Sequence, residues 1–581
     1  MKHLRILPLL VSLTTIIACS SEDDDIFNYY NDYYMSNGSA TIAGELSTLD
    51  VSIDQSTAEP STDVAEYFPD EEDAQENNEF TKEVNIDMSN PTAMTEDGVE
   101  VTVEDGHVKA DHGTTKKVCY VVSGSTSNGS LTIVGEKKYA VMLNGVNITN
   151  PDSAALNLLS SKRAFITVAE GTRNTLRDGT SSMNDHKGAL YCKGKLLFNG
   201  SGALAVYGNY NNGIHSADYI IFRTGNNIYV KSTANHGIKA NDGVFINGGV
   251  LNVEVTAAAA KGINCESDII VNGGRTTVIT TGGGSYDTEE QEAKGSAGIK
   301  SDATLTVNGG ELWLKSTGAG GKGLNIDTEG YFNGGKIYIV TTGGQYKSNN
   351  DTASPKGIKA DGNISITGGR IWVRTEGTNG EGIETKAELS ITGGETASYA
   401  YDDAINSKST MTISGGYVFA QGRNNDGLDA NGNCYIKGGT VYAICSEQPE
   451  VAIDANSEGG YKLYLTGGTV VAIGGLESGS SLTQACYQAS SWSASTWYAM
   501  SVGGNIFSFQ TPTSGGSGLV VSGASQPTLL SGAGISGGTT YFGGIAVSGA
   551  TVSSGTTVSL SSYTGGNNMG NNMGPNQFHR P

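Results

Sequence analysis

Gly309-Gly310-Glu311-Leu312-Trp313-Leu314 and Gly334-Gly335-Lys336-Ile337-Tyr338-Ile339 are two copies of one pattern, a glycine pair opening a short run of alternating apolar residues. The pairs start at Gly248, Gly273, Gly309, Gly334, Gly368, Gly393, Gly415, Gly438 and Gly467, in steps of 25, 36, 25, 34, 25, 22, 23 and 29 residues. A repeat of 22–25 residues with occasional longer steps marks a solenoid with loop insertions. One such coil cannot bury its apolar face alone, whereas stacked coils bury a continuous one. After each pair the strand alternates out and in, the period-two signature of a half-buried strand. A second strand precedes the pair, as in Leu305/Val307, Ile364/Ile366, Leu389/Ile391 and Met411/Ile413. A third element reads Gly-Ile-x-small, with an apolar column Ile214, Ile238, Ile263, Ile299, Leu324, Ile358, Ile383, Ile405, Leu428 and Ile453. Three short strands per coil predict an all-β fold, a right-handed parallel β-helix. The two longest steps insert residues at Gly282–Gly295 and Gly343–Pro355, two coils apart on one edge, where they can wall a groove.

The rest of the chain is arranged around this solenoid. With 82 Gly but 13 Phe and 4 Trp in 581 residues, the composition suits a coil that turns every few residues better than a conventional globular enzyme. Residues 1–19 read as a lipoprotein leader: basic Lys2 and Arg5, a short apolar run, then Cys19 as the lipidated residue. The apolar run is too short to span a bilayer, so the membrane is expected to be reached through the lipid alone. Residues 21–104 hold 23 Asp and Glu against one Lys, a net −22 of the chain's −23. With Lys2 and Arg5 set in the leader, residues 105–581 carry only −3. Such a run repels itself and suits an extended tether, here 20–95. Its start, Ser20-Ser21-Glu22-Asp23-Asp24-Asp25, resembles the acidic export signal of bacterial surface lipoproteins, which implies an outer-membrane lipoprotein exposed at the cell surface. This charge balance argues against nucleic acid as a partner. The β-helix is expected over 96–475, a β-rich cap over 476–564, where Ser, Gly and Thr replace the doublet rhythm, and a disordered tail over 565–581. The cysteines of the body show no CxxC or zinc-type spacing, and Cys192 and Cys265 stand in one inward column three coils apart. At roughly 4.8 Å per coil that is too far for a disulfide, so buried free thiols are expected.

Chemistry should collect on the outward side of the Gly-Ile-x element. Its x column reads His215, Lys239, Asn264, Lys300, Asn325, Lys359, Glu384, Asn406, Asp429, Asp454. The residue before the Gly reads Asn212, His236, Lys261, Ala297, Lys322, Lys356, Glu381, Asp403, Asp426, with Ala404 in place of Gly at one coil. Both columns pass from basic to acidic at the same coil. Glu381, Asp403 and Asp426 stack, as do Glu384, Asn406 and Asp429. Like charges so placed repel unless a cation intervenes, and hard oxygens from several coils suit Ca²⁺, the one cofactor expected. Without the ion the same columns would be a solvated acidic face. The basic half, Lys239, Lys261, Lys300, Lys322 and Lys359, is either a track for an anionic chain or a counterweight to the acidic half. Trp313, Tyr338 and Trp372 share an outward position on three successive coils. A flat ladder of that kind can pack on the C–H faces of sugars, or it can be covered by a loop or the cap.

Asn174-Thr175-Leu176-Arg177-Asp178-Gly179, the Gly-Ile-Lys-Ala coils, Tyr401-Asp402-Asp403-Ala404-Ile405-Asn406 and Asn425-Asp426-Gly427-Leu428-Asp429-Ala430-Asn431 resemble a family of bacterial extracellular carbohydrate-binding proteins. The resemblance spans 97–475. It implies a pectate-lyase-like right-handed β-helix with bound calcium, associated with acidic pectic polysaccharide and cellulose. It implies Asp402, Asp403, Asn406, Asn425, Asp426 and Asp429 as calcium ligands, with Glu381 and Glu384 behind them. Ala404, where the pattern has Gly, and the two long insertions depart from it. The expected function is a surface-anchored protein that binds a polysaccharide, polyuronate or glucan, and is not an enzyme. A calcium-dependent polysaccharide lyase and a structural adhesin are the alternatives. A lyase needs a base beside its cation, and around the carboxylates, over Gly377–Ala430, the basic residues are Lys386, Lys408 and Arg423.

Overall fold

The glycine pair is required by the stacking of the coils. A Cβ on the first glycine would press on a carbonyl of the preceding coil: 2.5 Å from Asn272 O at Gly309, 2.3 Å from Asn308 O at Gly334. The second glycine is left-handed, with φ +74° at both Gly310 and Gly335, where a side chain is strained. The residue before the pair builds a ladder. Asn308 Nδ2 donates to Asn272 Oδ1 at 2.9 Å, Asn333 Nδ2 to Asn308 Oδ1 at 2.9 Å, and Thr367 Oγ1 to Asn333 Oδ1 at 2.9 Å. The turn thus joins its own side-chain amides from coil to coil.

A computed structural model describes residues 46–53, 58–446, 450–513 and 518–565. It is an all-β parallel solenoid, with no α-helix among the described residues. Three parallel ladders run its length. The strands before and after the glycine pairs belong to one 31-stranded sheet and the Gly-Ile-x strands to a second sheet of 15. In the second sheet Ile299 stands beside Leu324, then Ile358, Ile383, Ile405 and Leu428, as the column predicts. These residues and their counterparts from the other ladders form one continuous buried core. The six body cysteines are all buried, and none of them forms a disulfide.

The solenoid begins earlier than the repeat suggests. Lys82–Asp87 already pairs in parallel with Val118–Thr126, so the first parallel strand lies inside the stretch expected as tether. Upstream of it, residues 46–53 and 58–80 lie against the solenoid's outer face, which corrects the reading of 20–95 as an extended tether within the described part. Leu46, Leu49 and Val51 are buried. Phe68 and Phe80 pack on an outer cluster that includes Phe165, Leu197, Ile221 and Phe245. Tyr67 brackets the end of the amide ladder, its N–H donating to Asn247 Oδ1 at 2.8 Å and its carbonyl accepting from Asn247 Nδ2 at 2.9 Å. The acids of this strap meet arginines of the coils. Arg163 pairs with Asp70 at 2.6 Å and Asp73 at 2.7 Å, and Arg223 with Glu66 at 2.6 Å and Glu76 at 2.8 Å. The self-repulsion read from composition is offset by these partners. Cys19, the leader, and residues 566–581 of the expected disordered tail lie outside the described residues.

At the other end Leu519–Ser522 pairs antiparallel with Thr469–Ile473, closing the open edge of the ladder. The rest of the C-terminal region folds into a six-stranded antiparallel sheet. That sheet reaches back over the solenoid's outer face. The Phe542 N–H donates to Glu395 Oε1 at 2.8 Å, and Tyr442 OH donates to the Gln510 carbonyl at 2.8 Å.

Candidate functional site

The outward face of the Gly-Ile-x ladder forms the floor of a cleft of about 1260 Å³, running from Asn235 and His236 to Glu384 and Lys386. The two insertions are its wall. Each is a β-hairpin, Ser285–Asp287 with Glu292–Lys294 and Tyr346–Ser348 with Asp351–Ala353. The Ala293 N–H donates to Asp351 Oδ2 at 2.6 Å and joins one hairpin to the other. Five adjacent strands in register carry Lys239, Asn264, Lys300, Asn325 and Lys359 along the floor.

The lysines are not a bare positive track. Lys239 pairs with Glu266 at 2.7 Å, Lys300 with Asp327 at 2.6 Å and also with Asp302, and Lys359 with Asp361 at 2.7 Å. The partners sit two residues after the x position on the same or the next coil, as in Lys300-Ser301-Asp302 and Lys359-Ala360-Asp361, a spacing that makes them legible once the column is drawn. Lys261 and Lys322 differ, since their amines donate to backbone carbonyls. Burial, with Lys300 and Lys294 close by, lowers Lys261 to about 8. Burial, with Lys359, Lys261 and Lys356 close by, lowers Lys322 to about 7.

Where the columns turn acidic, Lys356 reaches Glu381 at 2.7 Å and Glu384 at 2.8 Å. Burial would raise Glu384, but Lys356 outweighs it and holds that carboxyl below its usual range. Burial prevails at Glu381, which is raised. These two candidate calcium ligands therefore already have a cation, the Lys356 ammonium. Beyond them the balance changes. One carboxylate oxygen each from Asp426, Asp429 and Asp454 lies within 4.8 Å of the others. Asp403, 4% exposed, stands beside them, and burial with Asp429, Asp426, Glu381 and Asp402 nearby pushes its carboxyl well above its usual range. Asp454 is pushed up to about 11 by burial, its hydrogen bond to Glu477, and Asp426 and Asp429. Asn406 donates from Nδ2 to Asp403 Oδ2 at 3.0 Å, while its buried Oδ1 has no partner among the described residues. A buried group of carboxylates with an unpartnered amide oxygen fits a hard divalent cation held by oxygen ligands. Asp402 and Asn425 stand to one side, joined to each other at 2.9 Å. Asp454 is absent from the ligand set that the resemblance implies, although it continues the x column.

The aromatic column does not offer a platform for sugars. Trp313, Tyr338 and Trp372 are 6%, 4% and 8% exposed. Their rings meet edge to face, at 82° for Trp313 with Tyr338 and 78° for Tyr338 with Trp372. The strap and cap cross this face. Arg374 Nε donates to the Leu49 carbonyl at 2.7 Å, and Lys315 pairs with Asp50 at 2.7 Å. Glu395 Oε1 accepts from both Trp372 Nε1 and the Phe542 N–H, tying the column to the cap. Which side of the solenoid was open could not be read from the column, because its covers are distant in sequence and share none of its period.

The chain is similar to known proteins over part of its length. The chain aligns at 34% identity over 126 residues with a carbohydrate-binding domain-containing protein of Acetivibrio thermocellus, covering 20% of this chain and 44% of that protein, so less than half of the relative's length is spanned. Among solved structures, that of a polysaccharide lyase-like protein from C. thermocellum, a gadolinium derivative, superposes with a TM-score of 0.34 at 20% identity, over 49% of this chain and 96% of that one. The family model of carbohydrate-binding domain-containing proteins matches residues 97–259, 252–320 and 317–403, together more than half of the chain. On that match, this chain belongs to the carbohydrate-binding domain-containing family.

Proposed function

We propose that the protein is a calcium-stabilised, lipid-anchored surface protein that holds an acidic or plant cell-wall polysaccharide in the hairpin-walled cleft and does not cleave it. The observation that carries this reading is the cleft itself. It spans six coils, roughly 25 Å at ~4.8 Å per strand, and its lining is mostly polar, with lysine, asparagine and aspartate side chains from successive strands. A hydroxyl-rich chain can exchange hydrogen bonds with such a floor along its whole length. Asp403, Asp426, Asp429 and Asp454, with Asn406 Oδ1, are the groups that would hold Ca²⁺, whose role is to neutralise the coils' buried acids. Against cleavage stands the engagement of the nearby bases. Lys356 is committed to Glu381 and Glu384, and Arg423 lies over the rings of Tyr399 and Tyr401. The test is equilibrium binding to polygalacturonate and to a neutral glucan, with ultraviolet absorbance monitored for unsaturated product. Binding without product is expected, weakened about tenfold or more in Lys239→Ala/Lys359→Ala through lost floor contacts. Accumulating product would assign a lyase instead, and absence of binding to either glycan would remove the cleft from consideration.

A further inference from the structure

Two amines on the cleft floor lack a carboxylate partner among the described residues. Lys261 Nζ donates to the carbonyls of Ala259 and Gly295, the latter at 3.3 Å, and Lys322 Nζ to that of Gly320 at 3.3 Å. The lysines around them, Lys294, Lys300, Lys356 and Lys359, are all ion-paired. The strand register puts Ala297 between the two, beside Lys261 on one side and Lys322 on the other. A single methyl thus stands where the neighbouring coils of the same column carry His236, Lys356 or Glu381. The Cα atoms of the two lysines are then roughly 9–10 Å apart at ~4.8 Å per strand; Ala297 itself is buried, and both lysines line the cleft.

We infer that Lys261 and Lys322, with Ala297 between them, form a carboxylate subsite in which one uronate carboxylate of a bound chain accepts hydrogen bonds from both amines. This rests on the proposed binding of a glycan in the cleft and adds which chemical group is read there and by which residues. Lys261 faces Lys300 and Asp302 on the floor and Lys294 and Glu292 on the hairpin, and Lys322 faces Lys356, Lys359 and Glu384. Burial is the larger cause of the lowered proton affinity of each amine, and the balance of nearby charge, in which the lysines weigh more than the acids, adds to it. An anion set between them reverses that balance, so the carboxylate binds together with protons. A methyl-esterified chain has no charge to supply and gains nothing from the two amines.

The experiment is titration calorimetry of the full chain with an oligogalacturonate and its methyl ester at pH 8, in two buffers of different protonation heat. The acid oligomer is expected to bind at least about tenfold more tightly than the ester and to take up about one proton, its affinity falling as pH rises to 9. Lys322→Met should lose both the preference and the proton uptake, whereas Lys437→Met, outside the cleft, should keep them. If the acid oligomer binds without proton uptake and Lys322→Met keeps the preference, the subsite is wrong and the cleft reading stands. If neither oligomer binds, both fall.

Discussion

Ala404 occupies the position where neighbouring coils require glycine, and the reason lies 16 residues further on. In earlier coils a Cβ would strike the inward side chain of the following strand, 2.0 Å from Val278 Cγ1 at Gly262 and 2.1 Å from Val373 Cγ1 at Gly357, whereas at Gly427, in the next coil, it would meet the Ala452 carbonyl at 2.6 Å. At the Ala404 coil the equivalent inward residue is Ala420, in register with Ser398, and both alanines are fully buried. One small residue makes room for the other, so the departure from the glycine pattern keeps the coil's path. Ala420→Val should cost about 1–3 kcal/mol by overpacking, and Ala404→Gly in the same chain should recover most of it; chemical denaturation of the double-mutant cycle measures the coupling. A second residue-scale expectation concerns Lys322, lowered to about 7 in the folded protein. The unfolded chain, with an ordinary lysine, binds more protons between about pH 7 and pH 10. This group therefore destabilises the fold at neutral pH, and the penalty is relieved as pH rises through that window. Lys322→Met should melt higher than wild type at pH 7, and the difference should shrink toward pH 10.

At the level of elements, the strap is a second layer held on the coils by apolar contacts and ion pairs, the most buried of which is at Asp73. Asp73 is fully buried, and its carboxylate accepts from Arg163 Nε at 2.7 Å and from Tyr219 OH at 2.7 Å. Removing Asp73 takes the buried acceptor from the Tyr219 hydroxyl and from Arg163 Nε, while Asp70 and Glu72 stay on the guanidinium, which costs about 1–3 kcal/mol. Asp73→Ala should therefore release the strap before the solenoid unfolds. Proteolysis within 58–80 and faster amide exchange at Phe68 and Phe80 would report it, and unchanged protection would show that the apolar contacts of Phe68 and Phe80 suffice. The strap was not legible as structure. Its acids read as a self-repelling run because a charge count contains no partners, and Arg163 and Arg223, which lie about 90 and 157 residues away along the chain, carry no mark of being its partners. The ladders, in contrast, were legible to the residue, because the glycine pair and the Gly-Ile-x column are imposed by coil-on-coil contact at every step.

Across the whole molecule the charge runs in one direction along one face: lysines and nearby acids over the cleft, Lys356 at the turning point, and then a group of carboxylates. The reversal was legible in the two columns, and so were Asp403, Asp426 and Asp429 as neighbours. That Glu381 and Glu384 belong to Lys356, and Asp454 to the carboxylate group, depended on how far side chains reach between coils, which spacing does not encode. The acidic end is where coil stacking opposes itself. Asp403 and Asp454 have their proton affinities raised by burial and by one another's neighbours, so each ionised carboxylate added there without a cation weakens the fold. A divalent ion binding only the folded state stabilises by RT ln(1 + [L]/Kd), about 2.7 kcal/mol at a hundredfold excess over Kd. Calcium should therefore raise the melting temperature at pH 7 by a few degrees, and chelator should reverse the gain. Asp426→Ala/Asp454→Ala should abolish the response while leaving glycan binding in the cleft. The sign of the pH dependence separates the two states: without calcium, stability falls as pH rises through the raised carboxyl values, and with calcium bound that fall is suppressed. Melting curves that superimpose with calcium and with chelator, across that pH range, would show that protonation alone quiets these acids and that the solenoid holds no ion there.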